Sequence, residues 1–208
     1  SLIIPFCLGC TEKIDTSAHH LLSIINDILD MSKLESGMLD LSENEYSPED
    51  LLANMVNLMS RNAREKNLEF NVDIAPNIPA RVIGDEVRIK QVLINIINNA
   101  IKYTQEGSVT LTAQCGERKD GEVTLVFSVA DTGIGIKKEN MPYLFSAFKR
   151  VENEKTRYIE GTGLGLSIVK QILIQHRARF GVRSVIDEGS TFWFELPRDP
   201  EDSRLTKD

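Results

Sequence analysis

The sequence lacks any long apolar run. Its first hydrophobic stretch, "LIIPFCL" (residues 2–8), falls far short of the ~20 apolar residues that span a bilayer, and no basic flank marks it as a signal peptide. Cysteine is scarce. Cys7 and Cys10 form a lone C-x-x-C, and Cys115 stands apart. Without a second pair or a flanking βαβ pattern, Cys7 and Cys10 read as reduced thiols rather than a metal or redox site. Positive charge is in deficit: 24 Lys and Arg against 31 Asp and Glu give a net charge of -7, which disfavours nucleic acid as a partner. A local cluster of cations and backbone N–H groups can still bind phosphate in such a chain. There is no internal repeat and no low-complexity tract. What remains is 208 residues, 41% of them hydrophobic, enough for one well-packed domain with an appendage. Ser at position 1 suggests a piece of a longer protein.

The apolar spacing sets out the elements. Residues 11–36 predict one long helix, in which Ile14, Ala18, Leu21, Ile25 and Ile28 alternate steps of four and three. Leu22 and Leu29 widen that seam, so a dimer or a helical hairpin is expected. Gly37 is a helix stop, and 38–47 reads as a linker. Ser47, Pro48 and two acids then open a helix over 47–67. "LEFNVDI" (68–74) alternates as a strand does. Asp85 can cap a helix that runs to about Tyr103. "GSVTLTAQC" and "GEVTLVFSVAD" predict an antiparallel hairpin, and "RFGVRSVIDEGSTFWFEL" a second one. A short helix is expected in "KKENMPYLFSAFKRV", an apolar one in "LGLSIVKQILIQH", and a polar tail from Pro197. This order predicts an α+β two-layer sandwich: a mixed, mostly antiparallel sheet covered on one face by helices. The expected division is 1–45 for the helical remnant and linker, 46–198 for the main domain, and 199–208 for a charged tail.

Three stretches carry polar groups out of keeping with plain packing. In "NIINNAIKYT" (95–104), Asn95, Asn99 and Lys102 line up with Arg88 and Gln91 along one side of a helix whose other side is apolar. Asn98 lies about 60° from Asn95. From Asn95 to Lys102 the rise is about 10 Å, the reach of an extended triphosphate. Amide oxygen is a neutral hard ligand for Mg²⁺, although backbone partners could equally satisfy these amides. "DTGIGI" (131–136) ends a strand. Asp131 could accept a hydrogen bond from an exocyclic amine, with Gly133 and Gly135 admitting a flat ring, or the segment is a capped turn. "GTGLGL" (161–166) opens a helix, where amides and the helix dipole favour an anion. It is neither a Rossmann fingerprint nor a P-loop, and an ordinary Gly-rich loop is the alternative. The charged segment 149–160 before it suggests a mobile lid.

Taken in order, these stretches resemble the ATP-binding catalytic domain of sensor histidine kinases, of the hybrid type, over roughly residues 11–198. "NIINNAIKYT" resembles the family's N-box, "DTGIGI" its first glycine box, "LFSAFKRV" its F-box, "GTGLGLSIVK" its second glycine box and "GSTFWFELP" its closing strand. "HHLLSIINDILDMSKLESG" is similar to the second helix of the dimerisation hairpin. The resemblance implies a Bergerat-type fold with ATP and Mg²⁺ as cofactors. It implies Asn99 as metal ligand, Asn95 in support of metal and phosphate, Lys102 on phosphate and Tyr103 beside the adenine. Asp131 would bind the adenine amine over a floor shaped by Gly133 and Gly135, with Ile136 adjoining. Arg150, following Phe148, would approach the γ-phosphate. Gly161, Gly163 and Gly165, with Thr162, Leu164 and Leu166 between them, would hinge the lid and hold phosphates; Thr191 would complete the nucleotide contacts. Asn95, Lys102 and Arg150 would be the catalytic set.

Two small departures are Glu160 and Arg177, each standing where the family often has Gly. A larger one is an absence. The family phosphorylates a His followed by an acid and then Arg-Thr-Pro, and none of His19, His20 or His176 has that context. The acceptor helix is therefore expected upstream, outside this chain. The expected function is transfer of the γ-phosphoryl of Mg·ATP to that external His, for relay to a receiver-domain Asp of a response regulator. A homodimer through the hairpin, a cytoplasmic location and no membrane contact by this segment complete the expectation. The alternatives are a non-catalytic nucleotide-binding module and a gyrase-like ATP hydrolase. The hydrolases place Glu where Asn95 stands and Asp where Lys102 stands.

Overall fold

The computed structural model describes residues 18, 21–22, 25–26, 28–30, 32, 41–117, 123–147 and 162–197. The chain divides into two compact units, Ser1–Leu39 and Asp40–Asp208. In the first, every described residue is helical, and Leu21, Leu22, Ile25, Ile28 and Leu29 are exposed. These are members of the apolar seam read from the sequence. Ile14, Gly37 and the C-x-x-C lie outside the described residues.

The second unit runs β1 (Asn44–Tyr46), α1 (Pro48–Glu65), β2 (Glu69–Ile74), β3 (Val82–Gly84), α2 (Glu86–Tyr103), β4 (Ser108–Glu117), β5 (Val123–Asp131), a 3-10 segment (Lys138–Tyr143), α3 (Gly165–Gln175), β6 (Arg179–Val185) and β7 (Gly189–Pro197). Five strands form one sheet in the order β2-β4-β5-β7-β6. Only β2 and β4 are parallel; the remaining pairs are antiparallel, as a mixed, mostly antiparallel sheet requires. β1 and β3 pair separately. These two three-residue strands are too short to show an alternating pattern, and β1 falls where a linker is expected.

Alternation puts the core on one face of the sheet. Val109, Leu111 and Ala113 of β4, Leu125, Phe127 and Val129 of β5, and Phe192, Phe194 and Leu196 of β7 are all buried. Phe127 and Phe194 face each other in the β5–β7 register and stack with centroids 5.1 Å apart. α2 meets this face with Ile89, Leu93, Ile96, Ile97 and Ala100, which lie on the apolar side of the helix. Burying each of these Ile and Leu side chains is worth about 1.5–3 kcal/mol, which outweighs the low helix propensity of its β-branched and Asn residues.

The caps follow the sequence signals. Ser47 accepts the Asp50 amide at 3.1 Å, with Pro48 in the first turn. Asp85 opens α2: Oδ1 accepts the Arg88 amide and Oδ2 the Ser42 amide, each at 3.0 Å. Lys66 Nζ donates to the Ile101 and Lys102 carbonyls at the far end of α2, both at 3.0 Å, placing a cation on the negative end of the dipole. The short helix expected after β5 is present as a 3-10 helix with Pro142 inside it; proline cannot donate to an α-helical ladder. Phe145 fastens this stretch to β6 by an edge contact with Phe180 at 5.4 Å.

α3 ends in a Schellman arrangement: the Ala178 amide bonds to the Leu173 carbonyl and the Arg177 amide to the Ile174 carbonyl, both at 2.9 Å. Arg177 holds φ at 52°, the left-handed conformation that glycine adopts without steric penalty. Arg177→Gly should therefore stabilise the fold by up to about 1 kcal/mol, after the greater unfolded-state freedom of glycine is deducted. Thermal unfolding should show a Tm raised by about 2–4 °C; a lowered Tm would contradict this account of the cap.

Candidate functional site

The site is built where the C-terminal half of α2, the end of β5 and the start of α3 converge. Asn95, Asn99, Lys102 and Tyr103 are half-buried, whereas Asn98 is exposed. The three asparagines are thus not equivalent. Arg88 and Gln91 share the half-buried stripe and bond to each other, Nη1 to Oε1, at 2.7 Å. Lys102 Nζ lies 5.2 Å from the centroid of the Tyr103 ring, within cation–π range. This places a cation and an aromatic face together at one end of the stripe.

The first glycine box meets that end of α2. Ile134 donates its amide to the Tyr103 carbonyl at 3.3 Å. A Cβ at Gly133 would stand 2.5 Å from that carbonyl, 2.8 Å from Asp131 Oδ1 and 2.9 Å from the Thr104 hydroxyl, so only glycine permits the approach. Thr104 is fully buried, and its hydroxyl donates to the Ala100 carbonyl at 2.7 Å. Gly135, at φ 65°, passes against the backbone of Val185 and Ile186, where a side chain has no room.

Asp131 is the last residue of β5. Its Oδ1 accepts the Gly133 amide at 2.9 Å and the Ser190 amide at 3.3 Å. Among the described residues nothing bonds to Oδ2. Burial raises its pKa, and the two amides partly offset that by favouring the carboxylate. The residue facing Asp131 in the β5–β7 register is Ser190, which is buried. Thr191 pairs instead with Ala130 and Arg183 and points to the opposite side of the sheet. Ile136 donates its amide to Ser184 Oγ on β6 at 2.8 Å.

The second glycine box brings α3 to the asparagines. Gly165, the first residue of α3, lies so that its Cβ would stand 3.5 Å from Asn95 Oδ1. Among the described residues no side chain caps α3, and the positive dipole end of its first turn suits an anion. Thr162 Oγ1 accepts the Leu164 amide at 3.2 Å, and Gly163 turns the chain at φ 73°. Leu164 is a core residue, and Leu166 is half-buried in the first turn. Phe148, Arg150 and Gly161 lie outside the described residues. His176 caps the end of α3, with Nδ1 2.8 Å from the Ile172 carbonyl and Nε2 buried.

Three residues of this cluster escape sequence reasoning: Thr104, Ser184 and Ser190. Thr104 and Ser190 sit inside quoted motifs but carry no distinctive local pattern. Ser184 meets Ile136 across 48 residues, a relation that spacing does not reveal.

A family model described as histidine kinase-, DNA gyrase B-, and HSP90-like ATPase matches residues 84–200. Sensor histidine kinase GacS of Pseudomonas protegens is 39% identical over 196 residues, covering 94% of this chain and 21% of GacS. The chain thus spans about a fifth of that relative's length. Full-length ShkA in complex with AMPPNP matches with a TM-score of 0.73 at 35% identity, over 86% of this chain and 36% of that one. Histidine kinase ThkA in complex with response regulator TrrA matches with a TM-score of 0.64 at 29% identity, over 91% and 50%. This chain belongs to the histidine kinase-, DNA gyrase B- and HSP90-like ATPase family, and it carries the ATP-binding catalytic domain of a sensor histidine kinase.

Proposed function

We propose that this domain binds Mg·ATP and passes the γ-phosphoryl to an imidazole nitrogen of a histidine on an acceptor helix outside the chain, for relay to a receiver-domain aspartate. The observation that carries the reading is the composition of the α2 stripe. Arg88, Gln91, Asn95, Asn99 and Lys102 include amides and cations but no carboxylate. A hydrolase needs a base to activate water, and the Asn95 amide against α3 cannot serve as one. Phosphoryl transfer asks mainly for positioning and charge neutralisation, which Lys102 and the first amides of α3 can give. His176, with its Nε2 buried, is unsuited to receive phosphate.

The stripe also fits a magnesium ion. Among the described residues no three His, Cys, Asp or Glu side chains cluster as a metal cage. Mg²⁺ needs none, because it keeps waters and phosphate oxygens and takes few protein ligands. Asn99 would hold it, with Asn95 beside. When bound, the ion would supply positive charge that offsets the phosphates. Asp131 would accept from the adenine amine, and Tyr103, Gly133, Gly135 and Ile136 would enclose the ring. Arg150, Phe148 and Gly161 keep their proposed roles at the γ-phosphate and lid; Thr191, on the sheet face away from Asp131, is given none.

The ThkA complex supports a response-regulator receiver domain as partner. The exposed seam in 18–32 supports a homodimer through the N-terminal hairpin. No helix among the described residues is long and apolar enough to cross a membrane. Within this reading the domain works in the cytoplasm, where ATP is available.

Labelled ATP mixed with this chain and a separate acceptor hairpin of the family should leave acid-labile label on the hairpin. ATP binding without label would favour a nucleotide-binding module, and free phosphate without the hairpin a hydrolase. Asn99→Ala should weaken metal-dependent ATP binding at least tenfold with circular dichroism unchanged; undiminished binding would remove Asn99 as ligand. Asp131→Asn should weaken ATP about tenfold or more yet raise Tm at neutral pH. The folded chain holds the Asp131 proton more tightly than the unfolded chain, so stability falls as pH rises through the folded pKa. The stability gain should shrink as pH falls towards the carboxylate range. A lowered Tm at neutral pH would contradict this.

A further inference from the structure

Ser184 lies on β6, outside every motif that marks the nucleotide site, yet its hydroxyl is fully engaged there. A serine hydroxyl has one hydrogen and two lone pairs. Ser184 Oγ donates to the Gly189 carbonyl at 2.9 Å and accepts the Ile136 amide at 2.8 Å. Its third contact is the Ser190 hydroxyl at 3.0 Å. With the Ser184 hydrogen committed to Gly189, the Ser190 hydroxyl must be the donor in that contact. Ser190 is thereby left with only lone pairs for a ligand. Ser190 faces Asp131 across the β5–β7 pair, and the ionised Asp131 carboxylate is also acceptor-only. The Ser190 amide is already given to Asp131 Oδ1, so what the two side chains can offer a ligand is lone pairs: those of Asp131 Oδ2 and of the Ser190 hydroxyl.

We propose that Ser184 is a positioning residue that sets purine selectivity: by holding the Ser190 proton, it keeps the base-binding end of the site able to accept from a 6-amino group and unable to donate to a 6-oxo group. This rests on the reading of the site as one for adenine nucleotides. A 6-aminopurine offers two N–H donors to the pair. A 6-oxopurine places an acceptor against acceptors, leaving polar groups unpaired, which discriminates strongly between such ligands. Ser184 touches neither base nor phosphate; it acts on selectivity through Ser190, while its bond to the Ile136 amide braces the first glycine box.

The test measures affinities for ATP and inosine triphosphate, each with Mg²⁺, on the full chain by calorimetry. The unaltered protein should prefer ATP. Ser184→Ala frees the Ser190 hydroxyl to rotate and donate, so the ATP-to-ITP preference should fall about tenfold, mostly through a gain for ITP. Ser184→Thr retains a hydroxyl on a strand that tolerates β-branching and should restore the preference. Ser190→Ala should also lower the preference, and adding Ser184→Ala to it should change the preference no further. Equal weakening of both nucleotides by Ser184→Ala would mark a merely structural role and overturn the proposal, as would an unchanged preference. If Ser184→Ala does not fold, an unchanged preference in Ser190→Ala overturns it equally. Absence of ATP binding by the unaltered protein would instead refute the adenine-nucleotide reading, and this proposal with it.

Discussion

The approach of α2 to the end of β5 sets the geometry on which the rest of the site depends. At the crossing, the Tyr103 carbonyl, the Thr104 hydroxyl and Asp131 Oδ1 all lie within 3 Å of where a Gly133 side chain would begin. The missing side chain lets the loop amides of Gly133 and Ile134 turn inward, one to Asp131 and one to Tyr103. That contact holds the first glycine box, the proposed base-binding end, against the helix that carries Asn95 and Asn99. Phe127 and the apolar face of α2 supply the stability behind it, so positions fixed by packing impose their precision on polar groups.

The same core explains how a buried carboxylate is tolerated. Asp131 is destabilised by burial, and two backbone amides offset only part of that. A site that binds an amine needs an acceptor without a protein partner, and the Asp131 Oδ2 atom has that character among the described residues. Stability and binding therefore pull in opposite directions at one atom group. On α2 the choice of residue separates chemistries within one fold. On the proposed reading, Asn95 stands where a carboxylate would prepare water in a hydrolase, and the phosphate end neutralises charge without a base.

Much of this was legible in the sequence. The bounds of α2 follow from the Asp85 cap and the apolar periodicity, and both hairpins follow from alternation interrupted by charged Gly-containing turns. The glycine boxes are legible because close backbone approach admits few residue types. Other features were not. β1 and β3 are too short for alternation to register, and their pairing joins residues about forty positions apart. The short helix at Lys138–Tyr143 was expected, and only its 3-10 form, which Pro142 favours by removing a donor, was not. Thr191 and Ser190 are adjacent in sequence and differ only in which face of the sheet each meets, a matter of register. Ser184 acquires its role from partners on two other segments, so no local pattern marks it.

The central claim is that one nucleotide site is assembled from α2, the loop after β5, the β6–β7 hairpin and the start of α3. Hydrogen exchange with and without Mg·ATP tests it most directly. The account predicts slowed exchange together at residues 131–136, 184–190 and 163–168, with β2 unchanged. Protection confined to other segments, or none at 131–136 in the presence of saturating nucleotide, would contradict it.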